Sequence, residues 1–198
     1  MPPLVLASAS PIRARLLGSA GVVFRICPAG VDEPMIRAGL AAKGTPPRDQ
    51  ADALAEAKAH DVARKNPDAV VIGCDQILDF DGTIFSKPAD ADAARAQLLA
   101  LRGRTHRLHT ATVLYHQGRP VWRNLGEIRL TMRAFSDAYL DGYLARNADT
   151  VSASVGGYLL EAEGIRLFSR IEGDLFAALG LPLVPLLDRL ARKGFIDA

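Results

Sequence analysis

An uninterrupted apolar run, Ala69-Val70-Val71-Ile72-Gly73-Cys74, is broken by a single carboxylate, Asp75, and resumes at Ile77-Leu78. Six apolar residues without alternation read as a strand buried on both faces, so its sheet needs cover on both sides. The neighbouring segments can supply it. Leu4-Val5-Leu6-Ala7 reads as a second apolar strand, and Ser8-Ala9-Ser10-Pro11 follows it. Ser10 fits a helix N-cap and Pro11 the first helical position, with Leu16 and Leu17 inside and Gly21 closing. Residues 22–27 read as a strand, 30–34 as a loop, and 39–47 as mixed and exposed. Residues 49–65 are rich in alanine and free of Gly and Pro, which predicts a helix.

Beyond the central run, Asp81-Gly82 marks a tight turn, and the returning strand ends at Lys87-Pro88. A helix is expected over 90–101, with Gly103 just past its end. Residues 105–115 and 121–132 read as long strands joined at Gln117-Gly118. Ser136 caps a helix reaching about Arg146; residues 158–160 are strand-like, 167–171 read as one more strand, and 183–193 as an amphipathic helix. The expectation is one α/β domain over residues 1–198, built on a mixed sheet.

Composition narrows the function. Lys and Arg number 24 against 22 Asp and Glu, a net charge of +2, and aromatics make up 6%. With no run of five like charges, the chain offers neither a basic arm nor a stacking platform for nucleic acid. No apolar run approaches the roughly 18 residues of a membrane span. The opening residues lack the charged region of a signal peptide, and Cys27 and Cys74 are the only cysteines. A reduced, cytoplasmic chain is expected.

Polar residues stand out where the pattern calls for apolar ones. At 100° per residue Ala51, Leu54, Ala55 and Val62 line one helix face, and Lys58 falls in its middle. It is either a lysine snorkelling from the stripe or a cation held for an anion. Asp75 is either a structural ion-pair partner or a working carboxylate, since burial alone would cost several kcal/mol. The turn at Ser8, Ser10 and Arg13 places free N–H groups beside a cation, which suits an anion. Lys87 and Glu33 are uninformative by themselves. His106 and His109 are three apart in a strand, so they point to opposite faces and cannot share a metal. No nucleophile elbow, dinucleotide or phosphate-loop motif is present. Cations, backbone donors and carboxylates together suit a polyphosphate bridged by a divalent ion.

These residues stand in a recognisable order. LVLASASPIRARLL (4–17), VDE (31–33), LAEAKA (54–59), VIGCDQIL (71–78), SKP (86–88), GRTH (103–106), IEGD (171–174) and GLPL (180–183) together resemble the Maf family of nucleoside triphosphate pyrophosphatases over nearly the whole chain. The resemblance implies a long twisted mixed sheet flanked by helices, like that of inosine triphosphate pyrophosphatases. It implies cleavage of the α–β phosphoanhydride of a nucleoside triphosphate, with a divalent cation such as Mg2+ or Mn2+. By that resemblance Arg13, Lys58 and Lys87 contact phosphate, and the anion site read at the turn adds Ser8 and Ser10 to the expected substrate-binding residues. Glu33 becomes a metal ligand and Asp75 the residue activating water. Ile12 replaces an arginine of the common family opening, and Ser86 replaces a glycine. Gln76 and Glu161 look like the branch acting on 7-methyl-GTP, which places an aromatic residue where Ile12 stands. The alternatives are a dTTP or UTP pyrophosphatase, or a non-catalytic nucleotide-binding regulator of cell division. The family also allows a homodimer.

Overall fold

The computed structural model describes residues 1–197, and among them seven strands form one mixed sheet flanked by helices. The strands are β1 (Leu4–Ala7), β2 (Arg25–Ile26), β3 (Val70–Phe80), β4 (Thr83–Phe85), β5 (Thr105–His116), β6 (Arg119–Met132) and β7 (Phe168–Glu172). Their order is β2-β1-β3-β5-β6-β7, with β4 also on β3. β1 runs parallel to both β2 and β3, and the other pairings are antiparallel. The helices are α1 (Pro11–Ser19), α2 (Glu33–Ala42), α3 (Pro47–Lys65), α4 (Ala91–Leu101), α5 (Asp137–Arg146), α6 (Leu175–Ala178) and α7 (Leu183–Arg192).

Alternation along β3 decides what each face carries. Leu4, Leu6, Ile72 and Cys74 pack with Leu17 of α1 and Leu186 and Leu190 of α7. Val5 and Val71 turn to the opposite face against Ala59 and Val62 of α3. Gly73 shares that second face, and a Cβ there would lie 2.2 Å from the Ala55 carbonyl oxygen and 2.7 Å from Ala59 Cβ. The missing side chain is what lets α3 lie directly on β3. Asp75, two residues on, therefore points towards the same helix.

Three expectations need correction. The strand expected over residues 22–27 shrinks to the pair Arg25–Ile26, because Val22 donates to the Leu17 carbonyl and tucks under α1. The loop expected over 30–34 ends early, because Glu33 and Pro34 open α2, with the Asp32 side chain accepting from Met35 N, and the helix runs on into the first residues of the mixed, exposed segment over 39–47. Residues 158–160 do not form a strand. Gly156 (φ 81°) and Gly157 (φ 72°) fold the chain into a tight left-handed bend, and Tyr158 turns inward instead. No described helix is long and apolar enough to cross a membrane.

Tyr158 closes on His106, whose Nε2 lies 2.7 Å from the phenol oxygen, with Phe168 edge-on to the Tyr158 ring. Burial lowers the His106 pKa to about 4. In the unfolded chain the imidazole takes a proton near pH 6.5, whereas the folded chain refuses it until about pH 4. Stability is therefore expected to fall as pH drops through that window, by up to about 1.4 kcal/mol per pH unit for one proton. Urea midpoints between pH 6.5 and 4.5 should show this slope in the wild type, and His106→Gln should flatten it. Equal slopes in the two proteins would contradict the assignment.

Candidate active site

Both β1 and β4 pair with β3 along one of its edges, and they leave a gap between them. β1 pairs Val70 to Gly73 and β4 pairs Leu78 to Phe80, while β5 occupies the opposite edge throughout. Cys74, Asp75, Gln76 and Ile77 thus have no strand on the first edge. A cleft of about 770 Å³ opens there, large enough for a nucleotide. It lies beyond the carboxyl end of β1, where open α/β sheets bind ligands.

The chain on either side of the gap brings the polar residues in. After β1 the backbone turns into α1. Ser8 is buried behind the cleft wall, its Oγ accepting from Ser10 N at 3.2 Å and Arg13 Nη1 at 3.3 Å. Arg13 also donates from Nη1 to the Cys74 carbonyl at 3.2 Å, satisfying an oxygen the missing strand leaves open, and from Nε to the Gly180 carbonyl at 2.7 Å. Its guanidinium thus ties α1 to β3 and to the turn after α6, with one edge facing the cleft beside Ser10 and Ile12. After β4, Lys87 stands exposed on the far rim next to Ser86.

At the centre, two carboxylates and two cations interlock. Lys58 Nζ lies 2.7 Å from Asp75 Oδ1 and 2.9 Å from Glu33 Oε1. Arg37 Nη2 lies 3.2 Å from Asp75 Oδ2 and 3.8 Å from Glu33 Oε2. Asp75 is 5% exposed at its side chain, Lys58 13% and Glu33 40%, so the cluster grades from interior to solvent. Burial pushes the Glu33 pKa up, but the hydrogen bond and charge of Lys58, with Arg37 and Lys87 behind it, more than reverse that and leave it below the ordinary value. Lys58 occupies the middle of the α3 stripe because an anion awaits it there.

Arg37 was not foreseen from the sequence. It sits one turn after Glu33 on α2, and reading residues 30–34 as loop, with no helix expected after them, hid the i, i+4 relation. The signal was nonetheless present: Asp32 as cap, Glu33 in the first turn and Pro34 just inside mark a helix start.

The remaining wall is apolar, formed by Phe85, Leu108, Val155, Tyr158, Leu160 and Leu179, with the exposed Glu161 on its rim. Gln76 also lines the cleft. Its Nε2 donates to Thr110 Oγ1 at 2.9 Å and to the carbonyls of Ala177 and Ala178 at 3.0 and 3.1 Å. Three acceptors fix the amide's orientation and leave its oxygen for the cleft. The cleft lining is therefore part charged and part apolar, with Gln76 and Glu161 as acceptors in it.

As a metal site, the cluster is a partial one. Among the described residues no group of three or more His, Cys, Asp or Glu side chains could hold an ion. Two hard carboxylates are present, a set that suits Mg2+ or Mn2+ when phosphate oxygens and water complete the shell.

Comparison with known proteins agrees with this architecture. Residues 3–193 match the family described as Maf-like protein. A nucleoside triphosphate pyrophosphatase of Ruegeria pomeroyi is 53% identical over 195 residues, which is 98% of each chain. The 7-methyl-GTP pyrophosphatase of Brucella abortus is 47% identical over 194 residues, again 98% of each. That of Rhizobium meliloti is 47% identical over 197 residues, covering 100% of this chain and 99% of its own. The chain belongs to the Maf-like protein family.

Proposed function

We propose that this protein is a nucleoside triphosphate pyrophosphatase that clears modified nucleotides, with 7-methyl-GTP as its preferred type of substrate. The observation that carries the reading is the cleft itself, whose lining combines apolar side chains and acceptors with a buried carboxylate interlocked with lysine and arginine. The names of its full-length relatives support the same reaction.

In this reading Arg13, Lys58 and Lys87, helped by Ser10 and the start of α1, hold the triphosphate. Ser8 keeps Arg13 in place. Asp75 accepts a proton from water as the water oxygen attacks the α-phosphorus. The α–β bridging bond breaks, pyrophosphate leaves with the bridging oxygen, and the monophosphate keeps the new one. Glu33 and Asp75 would hold a divalent cation, which when bound neutralises charge gathering on the phosphate oxygens.

Base preference follows from two acceptors. Gln76 has only its amide oxygen to offer, and Glu161 is a carboxylate. Guanine presents adjacent N1–H and N2–H donors that such acceptors can take together, whereas uracil and thymine flank one donor with carbonyls. Ile12 gives the base apolar contact. Glu161→Gln is expected to shift the ratio of kcat/KM for 7-methyl-GTP over UTP towards the pyrimidine by at least about tenfold. An unchanged ratio would remove Glu161 from recognition.

Pyrophosphate release from 7-methyl-GTP, GTP, dTTP and UTP, each with Mg2+ and with Mn2+, tests the proposal. The highest kcat/KM is expected with 7-methyl-GTP. A preference for dTTP or UTP would overturn the base assignment, and no release from any of the four would overturn the activity.

A further inference from the structure

All four oxygens of the Asp75 and Glu33 carboxylates face a cation within 4 Å: Lys58 takes one of each, Arg37 the other of each. A divalent ion binding Asp75 Oδ2 or Glu33 Oε2 meets the positive charge of Arg37 and competes with it for those oxygens, as it would with Lys58 at Asp75 Oδ1 and Glu33 Oε1. The two are not equally easy to displace. Lys58 is 13% exposed and rises from the middle of α3, which is packed on β3 through Ala55 and Ala59. Arg37 is 25% exposed and rises from α2, a helix that buries no side chain fully and leaves Met35 68% exposed. Its contacts of 3.2 and 3.8 Å are also longer than those of Lys58. Arg37 is the partner that can leave, and it lines the same cleft as Arg13 and Lys87.

We propose that Arg37 is a positioning residue that latches the carboxylate pair until a polyphosphate arrives. A guanidinium pairs with phosphate as well as with carboxylate, by the same forked donors. When the triphosphate enters, Arg37 transfers from Asp75 Oδ2 and Glu33 Oε2 to phosphate oxygens, and the vacated oxygens become open to the cation. Metal and polyphosphate then bind with positive coupling, and water is not activated at Asp75 before substrate is present. The inference rests on the metal-assisted reading above and adds to it the residue that orders the binding events.

The test uses Mn2+ alone, counted by the electron paramagnetic resonance of the free ion, and inorganic pyrophosphate alone in metal-free buffer, followed by calorimetry. Arg37→Met is expected to bind Mn2+ at least tenfold more tightly than the wild type and pyrophosphate at least tenfold more weakly. A site merely loosened by the substitution would weaken both. Arg37→Lys keeps the charge and should hold Mn2+ affinity within about threefold of the wild type. Adding Asp75→Asn to Arg37→Met should abolish the gain. Unchanged Mn2+ binding in Arg37→Met, or a matching gain in Arg37→Lys, would overturn the latch. Failure of the activity itself is read separately, as absence of pyrophosphate release from nucleotides by the wild type.

Discussion

Asp75→Asn is expected to lower kcat by about 10²–10⁴ while the protein keeps its fold, the range typical for loss of a general base. Asparagine preserves shape, but it cannot take a proton from water and brings no charge to a metal. Asp75 sits at the meeting point of Lys58 and Arg37, 5% exposed at its side chain, so the amide leaves two cations facing a neutral group. Some stability is lost with that pair, because a buried charge without its counter-charge is costly. Glu33 still holds both cations, which keeps α2 and α3 together. Circular dichroism should match the wild type at 25 °C. A folded variant retaining more than half the wild-type kcat would remove Asp75 from the chemistry.

Gly73→Ala is expected to be the most damaging single-methyl change in the chain. Its Cβ would lie 2.2 Å from the Ala55 carbonyl oxygen and 2.8 Å from Ala59 N, backbone atoms that cannot swing aside. Overpacking costs about 1–3 kcal/mol where side chains give way, and more against rigid backbone. At about 2–4 °C per kcal/mol for a chain of this size, the melting temperature should fall by roughly 10 °C. Activity should fall with it, by about a hundredfold in protein still folded, because the strain lifts α3 between Ala55 and Ala59, where Lys58 reaches Asp75. Gly18→Ala is the control: a Cβ there meets nothing within 4 Å, and alanine favours the helix. A Gly73→Ala protein melting within about 2 °C of the wild type would show that the α3–β3 contact is looser than described.

The centre of the site was legible in the sequence because its residues violate strong local patterns. A lysine in a helix stripe and an aspartate in a buried strand each demand a partner, and the demand is mutual: Lys58 and Asp75 meet at 2.7 Å. What stayed hidden depended on weak or very short elements. α2 buries no residue fully, and Gly39 within it reads as a breaker. Missing the helix meant missing Arg37. α6 spans four residues, too few for any period, yet its Ala177 and Ala178 carbonyls set which atom Gln76 offers to a ligand. The gap on β3 was invisible for a different reason. It arises from where β1 stops and β4 starts, a matter of register that no local pattern records. The strand expected over residues 158–160 is absent because such residues look alike whether they pair or turn inward to His106.

The measurement closest to the central claim is a phosphorus NMR record of the products formed from 7-methyl-GTP with Mg2+ in water enriched in oxygen-18. The account predicts 7-methyl-GMP and pyrophosphate in equal amounts, with the heavy oxygen on the monophosphate, since water attacks the α-phosphorus. Release of orthophosphate and a nucleoside diphosphate, or heavy oxygen in the pyrophosphate, would contradict it.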